Sequence, residues 1–275
     1  MRGFLFTLSL VITALVIISL SIFVMESGRS EKADILSISM FDRIRNNMLW
    51  VENGFRGMVE AAGVDVTVKN YTVSITENLP NNNAANFSDN VDNWTAFATA
   101  RADFPMSFSV SNVKNYLPLI MRPSQVVYTH PNNFGGNSIR VENAGSVTNY
   151  TIDISINTDE AFTLNWDTID NNPADLDVQI KVRNSTTEST ENHGLDPDST
   201  STLSISMSSG TITINIGGLD SGRLVINNPT PFDTTVTTNI TLGNIKNPMI
   251  TFPGQVISLQ SDIINASASS PGRIA

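Results

Sequence analysis

Between Arg2 and Glu26 the chain carries no charge: Gly3 to Met25, GFLFTLSLVITALVIISLSIFVM, is an apolar run of 23 residues. As a helix it would span roughly 34 Å, against a bilayer hydrocarbon core of about 30 Å. Such a stretch predicts a membrane helix. A secretory signal has a shorter apolar core and a small-residue cleavage site, whereas this run ends Phe23-Val24-Met25-Glu26. The alternative, a buried helix of a soluble domain, needs protein packed on every side of a chain terminus.

Beyond Met25 the helical rhythm continues in polar company. Ile35, Ile38, Phe41, Ile44, Met48, Val51, Phe55, Met58 and Ala62 follow at steps of three or four, with Asp34, Arg43, Arg45, Glu52, Arg56 and Glu60 between them. That is one apolar stripe on a helix. All 12 prolines lie at or after Pro80, so one helix from about Phe4 to Ala62 is allowed, bent if anywhere at Ser27-Gly28. Two separate helices are the other reading. Thr7, Ala14, Ser21 and Gly28 recur every seventh residue, which places four small side chains on one face, suited to close helix packing.

Arg2-Gly3 before Phe4, the uninterrupted apolar stretch, the amphipathic continuation and the β-rich remainder together resemble the type IV pilin class, particularly its archaeal members. The resemblance covers residues 1–62. It implies cleavage between Gly3 and Phe4 by a prepilin peptidase-like protease, a filament core built from the apolar helices, and globular domains facing outward. The fifth residue after that bond is Leu8, where bacterial pilins usually carry glutamate.

Composition narrows the function classes. The chain of 275 residues has no cysteine, two histidines and a net charge of −10, which excludes disulfides, thiol nucleophiles and thiolate metal sites. Without a basic block it offers nothing for nucleic acid. N-x-S/T sequons stand at Asn70, Asn86, Asn93, Asn149, Asn184, Asn239 and Asn265 as glycosylation candidates of an exported domain, although a chain this rich in Asn, Ser and Thr yields several by chance. Arginines flank the apolar run on both sides, so the positive-inside count does not orient it. The Asn/Ser/Thr-rich composition, the scarcity of lysine and the pilin-like start place the N-terminus inside and the large domain at the extracellular surface.

From Val64 onward the period changes to two: Val64, Val66, Val68, then Tyr71, Val73, Ile75. Further strands are expected over 106–110, 125–128, 138–142, 148–156, 162–166, 176–182, 202–207, 211–216, 223–226, 235–241 and 255–264, with turn residues between, the pattern of a sandwich or barrel. Residues 79–90 read as an asparagine-rich loop and 92–101 as a short helix. Residues 185–201 read as a mobile loop or link. The expected architecture is therefore α+β: a long N-terminal membrane and amphipathic helix (1–62), an all-β, sandwich-like ectodomain (63–266) and a flexible tail (267–275).

No catalytic constellation stands out. His130 and His193 adjoin turn residues and read as loop histidines, and no G-x-S-x-G elbow presents a nucleophile. Asp167, Asp170, Asp175 and Asp177 could gather oxygen ligands for Ca²⁺, or form an ordinary polar β connection. Trp50, Trp94 and Trp166 read as core anchors. The expectation is a non-enzymatic subunit of a type IV pilus-like filament, with an adhesive β domain outward, whose partners are copies of itself and the membrane through Gly3 to Met25, with no cofactor. A single-pass anchored surface binding protein that forms no filament is the alternative.

Overall fold

The computed structural model describes residues 18–21, 39–40, 42–102, 105–169, 176–218, 220–254, 257–261, 266–270 and 273–274. Residues 42–61 form a helix, α1. Val51, Phe55, Met58 and Val59 on α1, and Ala62 just past it, are buried, because steps of three and four put them on one side. Gly63 ends the helix. Its φ of +76° is open to glycine at no steric cost, and there its N–H donates to Glu60 O while Val64 N donates to Val59 O.

Next come β1 (Asp65–Lys69), β2 (Thr72–Leu79), α2 (Ala84–Arg101), β3 (Met106–Phe108), α3 (Ser111–Tyr116), β4 (Leu119–Arg122), β5 (Val126–Thr129), β6 (Ser138–Glu142) and β7 (Val147–Ile156). The remainder is strand: β8 (Thr163–Thr168), β9 (Leu176–Arg183), β10 (Glu188–Leu195), β11 (Ser201–Met207), β12 (Gly210–Ile216), β13 (Leu224–Asn227), β14 (Thr234–Leu242), β15 (Met249–Thr251), β16 (Ile257–Ser261) and β17 (Ala266–Ser270). A six-stranded sheet runs β1-β2-β14-β7-β9-β10, an eight-stranded sheet β15-β4-β5-β6-β13-β12-β11-β8, and a small third sheet β17-β16-β3. Only β7 and β9 pair in parallel among these ladders.

The two large sheets share one core. Val73, Ile75, Ile152, Ile154, Ile180 and Val236 of the first meet Tyr128, Ile139, Val141, Ile214 and Ile226 of the second, all with exposure at or near zero. Tyr150 ties them further, its hydroxyl donating to Gly222 O at 2.8 Å. The alternation of apolar and polar residues along each strand decides this arrangement, because one face of each sheet must leave water.

Among the described residues the fold is mostly β, with 44% strand against 23% helix, which corrects the expected α+β layout of one long N-terminal helix leading a separate all-β ectodomain. The helices are short, and among the described residues none is long and apolar enough to cross a membrane. The physical reason lies in α1: its stripe closes the same core as the inward residues of both sheets, so it serves as a layer of the β body rather than a stem. Helices α2 and α3 are likewise inserted between strands. Most of the expected membrane span, with Gly3, Phe4, Thr7 and Ala14, lies outside the described residues, as does Gly28 beyond it. Ser21 is exposed in a helical stretch at 18–21.

Three local expectations also change. Helix α2 begins at Ala84, inside the expected loop, because Phe87, Val91, Trp94 and Ala98 repeat at three- and four-residue steps and pack inward, which outweighs the weak helix propensity of asparagine. The expected mobile segment contains β10, an edge strand whose single ladder to β9 runs from Glu188↔Arg183 to Leu195↔Leu176. The expected tail is tied down. β17 pairs with β16, Arg273 bridges to Thr251, and Ile274 is buried with its N–H donating to Ile250 O.

Where α2 crosses α1, Gly54 lets the Trp94 indole lie directly on the α1 backbone; a Cβ there would stand 2.2 Å from Trp94 Cζ2. From this contact aromatic rings run inward to Phe55, at 5.0 Å between centroids, and outward to Trp50, at 5.8 Å. Trp50 then meets Phe97 at 6.0 Å, and both are on the surface, so Trp50 is not the core anchor expected of it.

Candidate interaction face

Because side chains alternate along a strand, the outward positions of the six-stranded sheet can be read directly from its register. None of them is apolar. On β2, β14 and β7, the three strands nearest its middle on that side, they are Thr72, Ser74, Thr76 and Asn78, then Thr235, Thr237, Asn239 and Thr241, then Asn149, Thr151, Asp153 and Ser155. Short hydroxyl and amide side chains hold one another in place: Thr72 Oγ1 lies 3.1 Å from Thr241 Oγ1, Thr76 Oγ1 2.9 Å from Thr237 Oγ1, and Thr235 Oγ1 donates to Asn78 Oδ1 at 2.7 Å. Most charges keep to the flanks, where Lys181 pairs with Glu188 at 3.0 Å.

Three depressions open on this face. A cleft of about 530 Å³ at the ends of β2, β14 and β7 is lined by Asn78, Asn82, Asn157, Asn184, Asp233 and Thr235, among others. Its walls are built from backbone held by amides. Asn81 Nδ2 donates to Ala62 O while its Oδ1 accepts from Asn83 N, and buried Asn228 donates to Leu79 O and Thr234 Oγ1 while its Oδ1 accepts from Thr230. Two shallower depressions lie farther along. One, of about 460 Å³, spans Thr67, Ser74 and Asn239; the other, of about 390 Å³, spans Thr151, Gln179 and Asn192.

The other notable cluster is closed to solvent. Glu77 on β2 points inward between the sheets, where it accepts hydrogen bonds from the Tyr128 hydroxyl and from His130 Nε2, the latter at 2.7 Å; His130 Nδ1 lies 3.3 Å from Tyr116 O. Both side chains of the His130–Glu77 pair are at 0% exposure. Burial pulls the imidazole down, but the Glu77 carboxylate outweighs it and raises His130 above the ordinary histidine range. Burial, reinforced by Glu77, holds the Tyr128 phenol well above its usual range. With no route to solvent, this triad pins the two sheets together and offers no surface for a substrate.

His130 is thus a core residue rather than a loop histidine. Val126, Tyr128 and His130 share one face, and the inward register continues one residue past β5. The buried Glu77 carries a signal in the sequence that pattern reading missed: a carboxylate at an inward position of Val73-Ile75-Glu77-Leu79 demands a buried partner. His193 sits half-buried, its ring 4.8 Å from Trp166.

The aspartates considered for Ca²⁺ separate. Asp167 is on β8 of the eight-stranded sheet and accepts from Ser204 Oγ at 2.5 Å and Asn165 Nδ2 at 3.1 Å, while Asp177 is on β9 of the other sheet; Asp170 and Asp175 lie outside the described residues. Among the described residues no group of three or more His, Asp or Glu could hold a metal ion. Of the sequon asparagines, Asn70, at the left-handed β1–β2 turn, and Asn86 and Asn93, on α2, are exposed. Asn149 and Asn239 are half-buried on the polar face, Asn184 lines the cleft, and Asn265 lies outside the described residues.

Comparison of the chain with protein-family models, with curated proteins and with solved structures returns no match.

Proposed function

We propose that this chain is a non-catalytic cell-surface protein, a subunit of a type IV pilus-like filament held together through its uncharged N-terminal segment, with the β body presented outward. The observation that carries the reading is the run Gly3 to Met25 behind Arg2-Gly3. The exposed pair Trp50 and Phe97, 41% and 49% exposed and 6.0 Å apart between ring centroids, supports it, since apolar side chains gathered on one surface favour contact between copies. The second reading, a membrane-anchored binding protein that forms no filament, is favoured by the flat polar face with its cleft, which needs no assembly to act.

Mass spectrometry of the N-terminal peptide in sheared surface material and in membranes separates the two. A start at Phe4 in sheared material, with assemblies lost in Leu15→Asp because a charge in an apolar bundle is costly, supports the filament subunit. A start at Met1 confined to membranes, with no extended structures by electron microscopy, overturns it in favour of the anchored protein.

A further inference from the structure

One line across the outer face of the six-stranded sheet is uncharged from edge to edge. The register aligns Thr67 of β1 with Ser74 of β2, Ser74 with Asn239 of β14, Asn239 with Thr151 of β7, Thr151 with Gln179 of β9, and Gln179 with Asn192 of β10. At 4.7–4.9 Å between strands the row is roughly 24 Å long. Its first half is the floor of one shallow depression, through Thr67, Ser74 and Asn239, and its second half the floor of the other, through Thr151, Gln179 and Asn192. The two therefore form a track perpendicular to the strands.

The chemistry of the track selects its occupant. Every side chain in it is a hydroxyl or a primary amide, each both donor and acceptor, and Gln179 Nε2 already orients Asn192 Oδ1 at 2.9 Å. The rows on either side of the track do carry charge, Lys69 and Asp177 on one side, Asp65, Asp153 and Lys181 on the other. Here a chain of net charge −10 keeps all six positions neutral and short. The row itself offers no apolar group to a protein partner and no cluster of cations to a polyanion; Lys69 and Tyr71 border the first depression and Asp177 the second. An extended polymer whose own groups are neutral hydroxyls has the chemistry to exchange hydrogen bonds with these side chains, since hydroxyls and amides both donate and accept.

We propose that this row is a binding track for a neutral polysaccharide laid across the six strands. The inference goes beyond the surface-protein reading and is tested on purified full-length chain in mild detergent, so failure of one leaves the other standing. The assay is affinity electrophoresis in gels containing soluble starch or hydroxyethyl cellulose, with polyanionic alginate for comparison. At least one neutral polymer is expected to retard the protein while alginate does not. Ser74→Lys and Gln179→Lys, each placing a charge in the row, are expected to weaken retardation roughly tenfold or more, whereas Asn53→Lys on the exposed side of α1 leaves it unchanged. Melting temperatures of the variants show that the loss is not unfolding, and Gln179→Ala, which adds no charge, gives a smaller loss in the same direction. Retardation by neither neutral polymer, retardation indifferent to the row variants, or a glycan attached at Asn149 or Asn239 and covering the row overturns the proposal.

Discussion

Replacing His130 with leucine removes one side of a charge pair that has no contact with solvent. Leucine keeps much of the volume, so the main cost is electrostatic: the Glu77 carboxylate keeps the Tyr128 hydroxyl and loses its cation. Breaking a buried pair from one side costs about 3–5 kcal/mol. At about 2–4 °C per kcal/mol for a protein of this size, Tm should fall by roughly 6–20 °C.

The pair also sets a pH dependence. His130 is raised above its unfolded value of about 6.5, so its contribution is full below about pH 6.5 and is lost as pH rises through the folded value. Circular dichroism melts at about pH 5.5 and about pH 8.5 should show the wild type losing part of its stability at the higher pH, and a triple variant His130→Leu, Glu77→Met, Tyr128→Phe, which buries no titrating group here, losing this dependence. Combining His130→Leu with Glu77→Met and Tyr128→Phe should recover much of the loss, because no charge then remains buried. A Tm of His130→Leu within about 2 °C of wild type at both pH values would refute the reasoning that a charged pair joins the sheets.

Further outcomes follow from single contacts. Gly54→Ala drives a Cβ to 2.2 Å from Trp94 and should cost about 1–3 kcal/mol by overpacking, less up to about 1 kcal/mol of gained helix propensity; an unshifted tryptophan emission together with a higher Tm would contradict the crossing. Hydrogen bonds from the Ser208 hydroxyl and from Ser209, acting against a small burial effect, lower the Glu160 carboxyl below its ordinary range. Its contribution is therefore present above the unfolded value of about 4.3 and lost as pH falls through the folded value; Glu160→Gln should lower Tm near neutrality and converge with wild type in acid, and equal Tm values throughout would count against it. Asn184 Nδ2 donates to Glu160 O at 2.6 Å while its Oδ1 accepts from Thr186 and Thr187, so glycopeptide mapping should find Asn184 bare; a glycan there on folded protein would show that the turn opens.

Periodicity alone made much of this protein legible. Steps of three and four from Ile44 to Ala62 mark the buried side of α1, and alternation locates strands such as Ser138–Glu142 and Val147–Ile156 to within a residue, because both patterns state which side chains must leave water together. The same alternation implies that the partners of Val73 and Ile75 on the other face are polar. The absence of cysteine and of a nucleophile elbow is equally local information. Tertiary structure alone decided what α1 packs against: its expected apolar stripe closes the core shared by both sheets. It also decided that Glu77 meets Tyr128 and His130, about 50 residues away, and that Thr67, Ser74, Asn239, Thr151, Gln179 and Asn192 fall into one line. Alternation within a segment decides which face it buries, but strand order and the exact partners are properties of pairings between distant segments: a two-residue slip keeps every face and changes every partner, and nothing within a single segment can encode that choice.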